Sequence, residues 1–89
     1  MLSDLQLLTM KEQTIGERLS FAREEAGLTM TELADRAGVT LACVSFLESG
    51  RRKGTNAVTV RKLAVALGVS ADWLGFGDGA QPRVKRVAS

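Results

Sequence analysis

The chain has 89 residues, enough for one domain with a single modest core but not for two. Its 45% hydrophobic content excludes a disordered chain, its one cysteine excludes an internal disulfide, and the absence of histidine beside that lone Cys43 argues against a zinc site. The net charge of +2 excludes little by itself, and no apolar run is long enough to span a bilayer.

From the start of the chain, Leu2, Leu5 and Leu8 share a helical stripe, compatible with a short extra helix or with a frayed apolar terminus. Residues 1–11 lack the basic-then-apolar order of a secretory signal, so a reducing, cytoplasmic location with no membrane partner is expected. Thr14-Ile15-Gly16-Glu17 and Thr29-Met30-Thr31-Glu32 are capping boxes, in which the Thr hydroxyl accepts from a free first-turn amide and the Glu reaches back to the cap. They predict helices over Ile15–Ala26, with Ile15, Leu19, Ala22 and Ala26 inward, and over Met30–Ala37, with Leu33, Ala34 and Ala37 inward. Gly38 makes a turn, and Thr40 caps a third helix over Leu41–Ser49 that faces Val44 and Leu47 inward. A polar loop over residues 50–56 precedes a fourth helix over Ala57–Leu67, with Val60, Leu63, Ala64 and Leu67 inward. Ser70 caps a short fifth helix whose apolar content is Trp73 and Leu74. No strand pattern and no internal repeat is present, and residues from Gly77 onward read as a mobile basic tail.

Charge is distributed unevenly. Up to Glu48 there are eight acids and four bases, whereas from Ser49 onward there are eight bases and two acids. Residues 49–71 hold five bases and no acid. A polyanion partner would favour such a field, although a solvated basic face carries the same charges. Catalytic signals are weak: there is no His to act as general base and no Gly-rich phosphate loop with Lys-Ser or Lys-Thr. The Gly75, Gly77, Gly79 triplet precedes no helix, so it does not fit a dinucleotide site. No enzyme activity, cofactor or metal is expected.

The stretch Leu28-Thr29-Met30-Thr31-Glu32-Leu33-Ala34-Asp35-Arg36-Ala37-Gly38-Val39-Thr40, followed by Val44-Ser45-Phe46-Leu47-Glu48-Ser49-Gly50, resembles the helix-turn-helix of the lambdoid phage repressors and Cro proteins, the XRE-type family. The likeness continues through Lys62-Leu63-Ala64 to Ala66-Leu67-Gly68-Val69-Ser70-Ala71-Asp72-Trp73-Leu74 and covers residues 14–77. The resemblance implies an all-α, five-helix, lambda-repressor-like domain over 14–77, between an N-terminal extension over 1–13 and a flexible basic tail over 78–89. It implies a pair between Arg23 and Glu48 that ties the first helix to the end of the third. The third helix would enter the major groove of double-stranded DNA and the second would lie across the backbone. Phosphate contacts then fall on Thr29, Met30, Thr40, Ser49, Arg51 and Lys53, and base-reading positions on Leu41, Ala42, Ser45 and Phe46, with Arg52 of the basic loop as a further candidate.

This sequence departs from the family at several of those sites. Met30 stands where an amide is common, and a thioether cannot donate. Leu41, Ala42 and Phe46 cannot hydrogen-bond to a base but can pack on thymine methyls. Two readings follow: shape and methyl readout backed by Arg51, Arg52 and Lys53, or an apolar helix face that binds another protein. The basic run directly after the third helix favours DNA. Cys43, in the first turn of that helix, is either a small packed side chain or a thiol whose oxidation would block docking. The expected function is a repressor of phage, plasmid or restriction–modification type on palindromic operators, with a DNA-binding antitoxin or a protein adaptor as alternatives. One module rarely supplies enough specificity, so a homodimer is expected, with Val69, Trp73, Leu74 and Phe76 as the apolar candidates; the resemblance implies that Trp73 packs partly into the core, which leaves Leu74 and Phe76 foremost, with the Leu2, Leu5, Leu8 stripe or a closed monomer as alternatives.

Overall fold

The computed structural model describes residues 13–87. The Leu2, Leu5, Leu8 stripe lies outside the described residues. Five helices follow in order: α1 (Ile15–Ala26), α2 (Met30–Ala37), α3 (Leu41–Ser49), α4 (Ala57–Leu67) and α5 (Ala71–Phe76). No strand occurs among the described residues. All five helices start on a side-chain cap. Both predicted capping boxes are closed, Thr40 accepts from the Cys43 amide, and Ser70 accepts from the Trp73 amide. The α4 cap was not read from sequence: Asn56 Oδ1 accepts from the Thr59 N–H at 2.8 Å, ending the polar loop one residue before the helix.

One core joins all five helices. Leu19, Leu33, Val44, Leu47, Leu63, Leu67 and Leu74 are its largest fully buried side chains. Each helix is short, so its stability comes from burying this face rather than from helix propensity. Two α1 residues outside the apolar stripe are also buried. Gly16 permits a close crossing of α1 over α3: a Cβ there would overlap the Leu47 carbonyl oxygen and stand 3.0 Å from its carbon. Arg18 is 4% exposed. Its Nε donates to the Leu74 carbonyl at 2.9 Å, its Nη2 to the Gly75 carbonyl at 3.1 Å, and its Nη1 to the Gln13 carbonyl. Burial pushes the guanidinium pKa down, yet it stays charged and ties α1 to the late carbonyls of α5. Arg18 falls between Ile15 and Ala22 at helical spacing, and that register is the sequence signal for its burial.

Two expectations need correction. Leu74 is fully buried and Trp73 is 5% exposed, so neither side chain is available as an interface anchor. The six residues of α5 are held from both sides: Trp73 meets Phe21 edge-on with ring centroids 6.3 Å apart, and Arg18 anchors the Leu74 backbone. Residues 77–87 carry no helix or strand, but they are not free of the domain. Val84 packs against the core, and the Val87 N–H donates to the Ala26 carbonyl at 2.9 Å. An apolar side chain and an unpaired carbonyl at the end of α1 supply the attraction that composition alone did not reveal.

Candidate nucleic-acid interface

The α2–turn–α3 unit is set by its turn. Gly38 adopts φ +70°, and Val39 N–H donates to the Ala34 carbonyl at 3.0 Å, which closes α2 and swings the chain into Thr40, the cap of α3. Val44 and Leu47 point into the core, which forces the rest of α3 outward. Leu41 is 48% exposed and Phe46 36%, with Ala42 exposed and Ser45 half-buried between them. The four base-reading candidates therefore share one outer face, and it is mostly apolar. Cys43 is half-buried against the core, as a packed side chain would be.

At the end of α3, Arg51, Arg52 and Lys53 are all exposed. The loop is not loose at its root: Arg52 N–H donates to the Phe46 carbonyl at 3.0 Å. The Arg51 guanidinium lies 5.8 Å from the Phe46 ring centroid, a cation–π contact that couples the first loop base to the outer face of α3.

A half-buried ion pair frames this surface. Arg23 Nε donates to Glu48 Oε2 at 2.7 Å and Arg23 Nη2 to Glu48 Oε1 at 3.0 Å, while Nη1 donates to the Leu28 carbonyl at 2.8 Å. Donation of these hydrogen bonds to Glu48 raises the Arg23 pKa. Arg23 and Glu48 side chains are 14% and 7% exposed, so this is a two-pronged, largely desolvated pair and not a surface contact. It holds the end of α1, the entrance of α2 and the end of α3 in one arrangement.

The phosphate candidates differ in what they can still offer. The Thr29 and Thr40 oxygens accept the Glu32 and Cys43 amides, which leaves each O–H free to donate. Glu32 accepts the Thr29 N–H, and that bond holds its carboxyl below the usual carboxylate range. Ser49 O–H is directed at the Phe46 carbonyl at 3.3 Å, so it serves the end of α3 first. Met30 is half-buried against the core, and packing accounts for its side chain. Elsewhere the exposed large apolar side chains among the described residues are Val58 and Val65 of α4, Phe76 at 77% exposure and Val87, and of these only Phe76 was singled out from sequence.

The sequence pattern of the helix-turn-helix family matches residues 19–74. This chain belongs to that family. The helix-turn-helix protein is 37% identical over 67 residues to the HTH-type transcriptional repressor RghR of Bacillus subtilis, a match covering 75% of this chain and 50% of the relative. It is 39% identical over 67 residues to the HTH-type transcriptional regulator for conjugative element SXT of Vibrio cholerae, covering 75% of this chain and 30% of that one. It thus spans half or less of the length of these curated relatives. Among solved structures it resembles SinR, the master regulator for biofilm formation, in complex with DNA, with a TM-score of 0.66 and 32% identity over 67% of this chain and 95% of that one. It also resembles the P22 c2 repressor bound to a synthetic operator, with a TM-score of 0.67 and 29% identity over 74% of this chain and 98% of that one. The lambda-repressor-like fold of this helix-turn-helix protein follows from these matches. Among the described residues no helix is long and apolar enough to cross a membrane.

Proposed function

We propose that this protein is a sequence-specific double-stranded DNA-binding transcription regulator, a repressor that acts as a homodimer on palindromic operators. The observation that carries the reading is the outward face of α3, which ends directly in the exposed Arg51-Arg52-Lys53 run and is coupled to it through Phe46 and Arg51. The likeness to repressors solved with DNA supports it. Arg51 and Lys53 take phosphates, as do the hydroxyls of Thr29 and Thr40. Leu41, Ala42 and Phe46 read thymine methyls and groove shape, and Ser45 and Arg52 supply the hydrogen bonds to base edges. The protein needs no cofactor or metal for this and catalyses no reaction; its place is the cytoplasm or nucleoid. Selection from a random duplex pool tests the reading: a two-fold-symmetric consensus with half-sites about one helical turn apart is expected. An unenriched pool together with salt-insensitive retention would support the protein adaptor instead, and enrichment that requires a co-expressed toxin would support the antitoxin.

Phe46→Ala is expected to relax base preference at one half-site position while leaving the helical circular dichroism unchanged, because the ring lies outside the core. In the wild-type chain a mismatched base pair at that position should cost about 1–3 kcal/mol, and the variant should lose much of that penalty. Competition binding against single-base variants of the selected site measures it, and an unchanged preference profile would remove Phe46 from the reading set.

With Leu74 and Trp73 buried, the dimer surface falls to Phe76 and the half-buried Val69. Phe76 lines a groove of about 450 Å³ together with Ile15, Val60, Ala71, Gly75 and the basic Arg61. In a two-fold pair, the same patch meets itself. Phe76→Asp is expected to shift the chain towards monomer in sedimentation equilibrium with an unchanged helical circular dichroism, and to remove any concentration dependence of the melting temperature. A wild-type chain that stays monomeric on a palindromic site would refute the dimer.

A further inference from the structure

The segment after α5 is basic, irregular and nevertheless held in place. Val84 is packed on the core, the Val87 amide is bonded to the Ala26 carbonyl at 2.9 Å, and Arg86 lies between these two anchors. The Arg86 side chain runs along Gly27: a Cβ there would be 3.2 Å from the guanidinium carbon and 3.3 Å from Nε. Gly27 is two residues before Thr29, the cap of α2. Arg23 then bridges the Leu28 carbonyl to Glu48, which places the entrance of α2 beside the end of α3, where the Arg51-Arg52-Lys53 run begins. The basic segment after α5 therefore reaches the turn between α1 and α2, and that turn is tied through Arg23 to the end of α3. Glu48, the carboxylate at that junction, is already paired with Arg23. Among the described residues the ion pairs are those of Arg23 with Glu24 and with Glu48, and no carboxylate pairs with Arg86.

From this placement we infer that residues 80–87 form a strap that adds Arg86 to the DNA-facing border as a phosphate-backbone contact at the entrance of α2. The inference rests on the DNA reading above, in which that entrance runs along the backbone. A guanidinium matches phosphate with two parallel N–H donors, and a strap anchored on both sides limits the side-chain freedom lost on docking. Arg83 and Lys85, both exposed on the same strap, add to the local positive potential without a fixed contact. The contact carries no base information, so it acts equally on every sequence.

The test uses the full chain, Arg86→Gln and Arg86→Lys, each titrated by fluorescence anisotropy against the selected duplex and a random duplex over a range of salt, with thermal melts in parallel. Loss of one phosphate contact lowers the log–log salt slope by about 0.9 and weakens binding about 5–10-fold at 0.1 M salt. Arg86→Gln is expected to show both changes on both duplexes with an unchanged melt, and Arg86→Lys to restore the slope. A wild-type slope in Arg86→Gln overturns the strap contact while leaving the DNA reading intact. So does a lowered melting temperature with an unchanged slope, which would make the strap purely structural, or an effect confined to the selected duplex. A wild-type chain without salt-sensitive duplex binding overturns the DNA reading itself, and the strap contact with it.

Discussion

Replacing Gly16 by alanine is expected to destabilise the domain by about 3 kcal/mol, at the upper end of overpacking costs. The sign is diagnostic, because helix propensity alone favours alanine over glycine by about 1 kcal/mol. The packing term wins here because the added methyl would meet the Leu47 backbone carbonyl and the Glu48 Cα, which cannot rotate aside as a side-chain tip can. Relief requires α1 to lift from α3, and that movement pulls on the Arg23–Glu48 pair, which spans the same two helices. Urea unfolding followed by circular dichroism measures the change, with a lower midpoint and an unchanged slope expected. In a domain of this size the melting temperature should fall by roughly 10–20 °C. A neutral or stabilised Gly16→Ala variant would mean that α1 and α3 do not cross at this distance.

Replacing Arg51, Arg52 and Lys53 together by alanine is expected to reduce duplex affinity at 0.1 M salt by about 100- to 1,000-fold and the salt slope by about 2–3 units, close to one per lost phosphate contact. All three side chains are exposed, so the fold should survive, and a parallel melt checks this. The effect should divide between residues. Arg51→Ala and Lys53→Ala should weaken all sequences alike, whereas Arg52→Ala should also relax base preference if its guanidinium reaches a base edge. An unchanged affinity and slope in the triple variant would place the loop away from the DNA.

Local signals determined most of the elements. The helix starts at Thr14, Thr29, Thr40 and Ser70 were legible because a hydroxyl before an apolar-periodic run has few other uses, and the end at Gly38 because a left-handed residue is needed there. Asn56 was missed because it closes a polar loop in which nothing marks one residue as the cap. The outer face of α3 was also legible, since placing Val44 and Leu47 inward fixes by helical geometry which neighbours point out. The Arg23–Glu48 pair was readable only through the family resemblance, for no periodic rule links residues 25 apart in sequence.

Tertiary structure decided what depends on which surfaces meet. Leu74 and Phe76 looked equivalent in sequence, yet one is fully buried and the other 77% exposed, because α1 and α4 close over only one side of α5. Arg18 is charged in sequence and buried in the fold, since three backbone carbonyls converge on it from segments far apart along the chain. The residues after α5 have the composition of a free tail, yet the Ala26 carbonyl, which accepts from Val87 N–H, and the core surface under Val84 hold residues 84–87 against the domain. The sequence by itself determined the helices, their caps and the outward face of α3, because these follow from rules acting over three or four residues. Which side chains the core encloses, and where the basic tail comes to rest, were settled only when distant segments packed together, because burial and backbone hydrogen bonding belong to the assembled surface and to no local stretch of chain.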